Sequence, residues 1–258
     1  MCMVSYICPI CKNKLHRENA SFVCANRHTF DVAKEGYVNL LPVNRKNNLD
    51  PGDNREMAAA REQFLSEGYF DKLAQTLVSI VSRSEAKTLL DVGSGTGYYT
   101  RRMPIEHYGV DISKHAVRIA SMKDKEGRYA VASVFSLPFA EPFDALLNCF
   151  APKAPEEYRR VLKEEGLLIE VVPGRDHLIE LKERMYENVR YNEEKPAIEG
   201  FSLAECERLR YRTTVKRRDV ANLLAMTPYR YKTKPNAFTC LDSDLETTFD
   251  FLIRTWKR

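Results

Sequence analysis

The sequence predicts an α/β fold, doubly wound around a mostly parallel sheet, with a small Cys/His module ahead of it. Three observations carry that reading. Apolar strand-like runs alternate with amphipathic helical segments between Leu89 and Val172, a rhythm that gives a parallel sheet with ligand sites at the carboxyl ends of its strands. The first of those strands runs into a loop with glycine at every second position, Asp91-Val92-Gly93-Ser94-Gly95-Thr96-Gly97. Ahead of both, Cys8, Cys11, Cys24 and His28 form two close pairs in the pattern C-x2-C-x12-C-x3-H.

That N-terminal pattern fits a structural zinc site. Tetrahedral Zn²⁺ takes four Cys or His ligands, and a short spacing lets one tight turn aim two of them at a single point. Scattered buried thiols are the alternative, but they have no reason to fall into correctly spaced pairs. Four protein ligands leave no open position for water, so the metal is expected to shape a binding module and not to catalyse. Residues 1–35 are therefore expected to form a zinc-binding module and 36–84 a linker with a helical lead-in. In that lead-in Asp53 or Asn54 can cap a helix whose apolar positions are Leu65, Leu73, Leu77 and Ile80. The sheet domain is expected over 85–258.

Composition agrees with a globular protein. The chain has 258 residues, 44 % hydrophobic and 29 % charged, enough for one ordinary domain and a small appendage. No apolar run approaches the ~18–20 residues of a membrane span, and the start of the chain lacks the pattern of a signal peptide. A cytoplasmic location without a membrane partner is expected. Cys2, Cys149, Cys206 and Cys240 show no framework spacing among the seven cysteines, which fits free or metal-bound thiols in a reducing compartment. No internal repeat appears.

The glycine loop has the form D-x-G-x-G-x-G. It differs from the G-x-G-x-x-G of dinucleotide binders and, with no lysine following, from a phosphate-binding P-loop. Glycines there allow a sharp turn and a close approach of backbone N–H groups to a ligand. Fourteen residues after Gly97, the strand Tyr108-Gly109-Val110-Asp111 ends in an acid. An acid at that point of a doubly wound fold accepts hydrogen bonds from ribose hydroxyls; the alternative is that Asp111 only caps a helix. Further along, Ala130–Ser133 can end a third strand and Phe143–Asn148 reads as a fourth. Pro155–Leu162 is an amphipathic helix, Gly166–Val172 a fifth strand, Leu178–Tyr191 a helix and Thr247–Ile253 a late strand.

These residues resemble the class I S-adenosylmethionine-dependent methyltransferases, and the resemblance implies a seven-stranded Rossmann-like methyltransferase sheet. It implies that Asp91, Gly93, Gly95, Thr96, Gly97 and Tyr98 surround the methionine part of S-adenosylmethionine and that Asp111 holds its ribose. The join between the modules narrows the match. Phe30–Pro42, Asp50–Asp53, Gly200–Leu203 and Leu223–Tyr229 resemble the bacterial 23S ribosomal RNA guanine-N1 methyltransferases across essentially the whole chain. That family implies a zinc module that helps grip an RNA hairpin, and further cofactor contacts at Phe70 and His177. At Phe70 the family more usually carries a tyrosine, so no hydroxyl is available there. Core packing for Phe70, and a helix start without ligand contact for His177, are the simpler alternatives.

Charge gives separate support for a nucleic-acid substrate. Between Arg208 and Lys234 stand nine basic residues against the single acid Asp219, a net of +8 in a chain whose total is +4. With Tyr211, Tyr229 and Tyr231 interleaved, such a stretch can neutralise phosphates and stack bases; an ordinary solvated face is the alternative. Asn148-Cys149-Phe150-Ala151-Pro152 stands where enzymes acting on exocyclic amines carry [DN]-P-P-[FY], and it departs from that pattern. Asn148 is a candidate contact for a flipped base. Cys149 lacks the Pro-Cys context of a pyrimidine-attacking nucleophile. The sequence singles out no catalytic residue. Two other functions stay open: a class I methyltransferase acting on another RNA, a protein or a small molecule, and a non-catalytic zinc-containing RNA-binding protein.

Overall fold

The computed structural model describes residues 4–42, 51–186, 188–193, 197–227 and 243–258. Cys2, Cys240 and the basic and aromatic residues from Tyr229 to Lys234 lie outside the described residues. The N-terminal module is a three-stranded antiparallel sheet, β1 (Leu15–Glu18), β2 (Ser21–Cys24) and β3 (Thr29–Asp31). So small a sheet encloses little apolar surface of its own, and it leans on the rest of the chain. Tyr6 packs tilted at 5.3 Å on Phe139 and edge-on at 5.3 Å on Phe22. Ile7 N–H donates to Pro138 O at 2.9 Å and Ala140 N–H to Ser5 O at 3.1 Å.

The main sheet follows in chain order. Its elements are β4 (Val38–Asn39), α1 (Arg55–Ser66), α2 (Asp71–Arg83), β5 (Thr88–Val92), β6 (Glu106–Asp111), α3 (Lys114–Lys123), β7 (Arg128–Val131) and β8 (Phe143–Cys149). They continue with α4 (Pro155–Val161), β9 (Leu162–Pro173), α5 (Ile179–Met185), β10 (Ser202–Val215), α6 (Arg217–Ala225) and β11 (Leu245–Lys257). The strand order is β10-β11-β9-β8-β5-β6-β7-β4. β9, β8, β5, β6, β7 and β4 are parallel, and β11 runs antiparallel between β9 and β10. The seven expected strands are present, joined by β4, a two-residue edge from the expected linker that pairs with Ala130 and Val131. Strand order reverses at β5, whose neighbours are β6 on one side and β8 on the other; in open α/β sheets, that switch point is where ligands bind.

Both sheet faces are covered. On one, Phe64, Leu73 and Leu77 of the lead-in pack with Leu147, Ile169, Phe249 and Phe251; on the other, Val92, Val110 and Leu146 pack with Tyr158 and Phe139. The lead-in is two helices. Asn54 caps the first, its Oδ1 accepting from Met57 N–H at 2.9 Å, and the break falls at Gly68, whose φ is +83°. The helix expected over Leu178–Tyr191 stops at Met185. Asn192 turns the following segment back, donating from Nδ2 to Gly174 O at 2.8 Å and accepting from Lys182 Nζ at 3.2 Å, so tertiary bonds replace helical ones.

The basic stretch also differs from its sequence reading. Arg208 pairs with Asp250 at 2.6 Å, Arg210 with Asp176 at 3.3 Å, Arg212 with Glu246 at 3.3 Å and Arg218 with Glu67 at 3.0 Å. A window of sequence counts charge along the chain, whereas β11, α1 and the turn before α5 bring acids alongside. The described part of the stretch is a laced surface and not an unpaired cationic patch.

Candidate active site and zinc centre

A cleft of about 350 Å³ opens over the carboxyl ends of β5, β6 and β8. Of the residues expected around the cofactor, Phe70, Gly93, Gly95, Thr96, Tyr98 and Asp111 line it. Asp91, Gly97 and His177 stand behind its wall. Asp111 sits at the end of β6, where its Oδ2 accepts from Gly95 N–H at 2.9 Å and its Oδ1 from Ser113 N–H at 2.8 Å. These bonds aim the carboxylate at the cleft and tie the glycine loop to the neighbouring strand. Burial raises its pKa, the two N–H donors opposing the rise.

The glycines differ in purpose. Gly93 has φ +85°, and a Cβ there would lie 2.4 Å from Ala151 Cβ, so the loop packs directly on the turn after β8. At Gly97 a Cβ would stand 2.9 Å from both Ala120 Cβ and Tyr129 Oη; this glycine lets α3 and β7 approach, which explains why it is absent from the cleft. Asp91 is buried beneath the loop and accepts from Thr100 Oγ1 at 2.5 Å, while its Oδ1 finds no hydrogen-bond partner among the described residues. Burial pushes its pKa up to about 7.

Phe70 is packed in an aromatic cluster, edge-on to Phe249 at 4.9 Å and Phe251 at 5.1 Å. His177 lies behind it, its Nδ1 accepting from Asp250 N–H at 3.3 Å. Burial depresses its pKa to about 4, so the ring is neutral near pH 7 and keeps its hydrogen on Nε2. Asn148 is also spoken for: Nδ2 donates to Pro152 O at 3.1 Å and Oδ1 accepts from Ala151 N–H at 3.3 Å. It braces the turn after β8 and, being 3 % exposed, does not reach a base. Burial holds the Cys149 thiol well above its ordinary pKa, which suits a cleft wall and not a nucleophile.

Sequence reasoning did not place Arg61 or Asp53 at the site; they close the cleft as an ion pair at 2.7 Å, with Arg61 also reaching Met226 O at 3.3 Å. Arg61 lies in no motif; the signal that could have found Asp53 is its place at the end of the Asp50–Asp53 segment, next to the helix cap Asn54. The fit to S-adenosylmethionine is chemical as well as spatial. A carboxylate stands where ribose hydroxyls would need an acceptor, and alternate glycines at Gly93 and Gly95 leave the loop backbone open along the cleft.

At the N-terminal module Cys24 Sγ lies 3.4 Å and Cys8 Sγ 3.5 Å from His28 Nδ1, with Cys11 Sγ 3.6 Å from Cys24 Sγ. A tetrahedron with Zn–S near 2.3 Å and Zn–N near 2.0–2.1 Å has edges of roughly 3.6–3.8 Å; these three distances are close to that, and all four donor atoms lie within 4.8 Å of one another, so the group fits a zinc ion after a small contraction. Two tight turns aim them. Lys12, with φ +64°, follows Cys11, and Arg27, with φ +62°, precedes His28; Lys12 N–H donates to Cys8 O and Arg27 N–H to Cys24 O, each at 2.8 Å.

Fold and site together define a class I S-adenosylmethionine-dependent methyltransferase with an N-terminal zinc ribbon. Residues 6–49 match the family described as "RlmA, N-terminal" and residues 90–169 that described as "Methyltransferase domain". The 23S rRNA (guanine(748)-N(1))-methyltransferase of Streptomyces fradiae is 34 % identical over 251 residues, covering 91 % of this chain and 89 % of its own. A Bacillus subtilis protein assigned by name to the 23S rRNA (guanine-N(1)-)-methyltransferases is 32 % identical over 272 residues, 95 % of each chain. Among solved structures, a methyltransferase in complex with the Haloferax volcanii Trm112 methyltransferase activator shares the fold, with a TM-score of 0.50 at 18 % identity over 79 % of this chain and 96 % of its own. The chain belongs to the 23S rRNA guanine-N1 methyltransferase family.

Two outcomes follow from these geometries. Cys11→Ser is expected to lose about one equivalent of zinc by elemental analysis and to unfold the module, because sites this small draw folding energy from their metal; S-adenosylmethionine affinity by calorimetry should stay within about twofold of wild type. The second concerns Asp91. An unfolded aspartate ionises near pH 3.8 and the folded one near 7, so the folded state holds the extra proton between those values. The stability this provides is complete below about pH 4 and is lost as pH rises to about 7. Asp91→Asn cannot ionise, so its melting-temperature advantage over wild type should grow from pH 4 to pH 7 and then level off. The opposite trend from His177 is common to both proteins and drops out of the difference. An advantage independent of pH would contradict the assignment.

Proposed function

We propose that this protein transfers the methyl group of S-adenosylmethionine to N1 of one guanine in a hairpin of 23S ribosomal RNA. The observation that carries the proposal is the union, in one chain, of a ribose-placed Asp111 beside the glycine loop with a zinc ribbon docked on the same domain. Membership of the guanine-N1 family supports it, and so does the departure of residues 148–152 from the exocyclic-amine pattern. When bound, S-adenosylmethionine supplies a methyl group on a sulfonium sulfur, which passes to guanine N1 while the sulfur keeps the electron pair and the N1 proton leaves.

The chain's own residues then do the holding. Asp111 accepts from the ribose hydroxyls, the backbone of Gly93 to Thr96 receives the methionine part, and Tyr98 and Phe70 wall the pocket. Asp91 keeps the loop in shape from beneath through Thr100. His177 acts indirectly, as a neutral ring supporting Phe70. Its Nδ1 lone pair is committed to Asp250 N–H, so it does not take the N1 proton. Residues 1–35 serve as the RNA-docking module and 36–84 as the connection to the sheet domain, in a cytoplasmic enzyme.

Methylation at N1 blocks the Watson–Crick edge, so wild-type protein with S-adenosylmethionine and a 23S rRNA transcript should produce a reverse-transcription stop at one guanine. Asp111→Ala should weaken S-adenosylmethionine by about 10- to 100-fold, the worth of two hydrogen bonds to a charged group, with RNA affinity little changed. A methyl group on a pyrimidine carbon or an exocyclic amine would overturn the assignment.

A further inference from the structure

The turn after β8 holds a strained aromatic residue that nothing in the fold requires. Phe150 has φ +60°, a left-handed conformation that is a genuine outlier for a bulky side chain. The residue is 41 % exposed, although it lines the cleft. Burial therefore gives little return for the strain. The turn is nevertheless fixed from several sides: Phe150 N–H donates to Val171 O at 3.1 Å, Asn148 ties Ala151 and Pro152, and Ala151 packs on Gly93. Strained conformations persist only where the surroundings over-determine them, and they gather at functional sites.

Position gives the strain a purpose. β6 and β8 flank β5, so the strands bearing Asp111 and Phe150 run about 10 Å apart, two strand spacings, with the glycine loop between them. Asp111 marks the ribose side of the cleft. Phe135, which is 60 % exposed beyond β7, lies further out on that same side. Phe150 stands on the opposite side, past the methionine-receiving loop, where a substrate must enter to meet the methyl group. Behind it the ring is backed by Phe251 at 5.8 Å and His177 at 6.4 Å. Its exposed surface is a flat apolar platform at the mouth of the cleft. A base taken out of a folded RNA loses its stacking partners and needs such a surface in their place.

We propose that the Phe150 ring is the platform on which the target guanine stacks. The proposal rests on the guanine-methylating function put forward above. Its test is steady-state methylation of the 23S rRNA transcript by wild type, Phe150→Leu and Phe150→Trp, with S-adenosylmethionine affinity by calorimetry and thermal melts alongside. Leucine keeps apolar bulk and the same backbone strain but has no ring face. Phe150→Leu should lower kcat/KM for the transcript by about 5- to 150-fold, the usual worth of stacking one base on an aromatic ring, with cofactor affinity and melting unchanged. Phe150→Trp should keep activity. If the leucine variant folds poorly, Phe150→Asn, which tolerates positive φ, replaces it with the same expected loss. Full activity without the ring, or a matching loss of cofactor affinity, would overturn the platform while leaving the wild-type reaction standing. A wild-type enzyme that methylates no guanine would instead overturn the functional reading, and the platform with it.

Discussion

The close packing around the carboxyl end of β5 is the constraint on which the rest of the molecule depends. Gly93 leaves no room for a side chain because Ala151 of the next turn fills that space. Gly95 N–H is held by Asp111, and Asp91 is held by Thr100. Three separate strand ends are thereby locked into one rigid cradle. Preorganisation of this kind matters for methyl transfer, because such a reaction gains chiefly from holding donor and acceptor in line while water is kept out. It also explains why a buried, partly unpartnered aspartate is tolerated: Asp91 gives up stability to fix a loop.

The zinc ribbon is joined to the same frame. It is tied to residues 138–140 by backbone hydrogen bonds and by the Tyr6–Phe139 ring contact, and that segment follows directly on the cleft wall at Ser133, Val134 and Phe135. On the proposed function, a module that docks RNA and a cleft that holds the methyl donor would share a single frame. In such an arrangement the choice of nucleotide depends on distance between two fixed points, which a flexible tether could not supply.

The sequence disclosed what is encoded by local spacing. Cys8, Cys11, Cys24 and His28 converge because two tight turns suffice, and Asp91 to Asp111 form a cradle because strand, loop, helix and strand follow one another directly. Features that depend on distant segments were not legible. The cationic count from Arg208 to Arg218 looked like a phosphate-binding patch until β11 and the turn before α5 supplied Asp250, Glu246 and Asp176. Asn148 looked like a base contact because nothing in the sequence shows that its amide closes the turn beneath Phe150. α5 ends early because Asn192 reaches back to Gly174, a bond no helical periodicity reveals. His177 and Phe70, brought in by resemblance, meet edge-on in one aromatic wall, of which only Phe70 lines the cleft.

The central claim is that the cradle at the end of β5 is the methyl-donor site. A crystal structure with S-adenosylhomocysteine tests it most directly. The account predicts both ribose hydroxyls within hydrogen-bond distance of Asp111, the amino-acid part over Gly93 to Thr96, and the sulfur facing the Phe150 side of the cleft. A ligand whose ribose lies away from Asp111, or one seated outside this cleft, would contradict it.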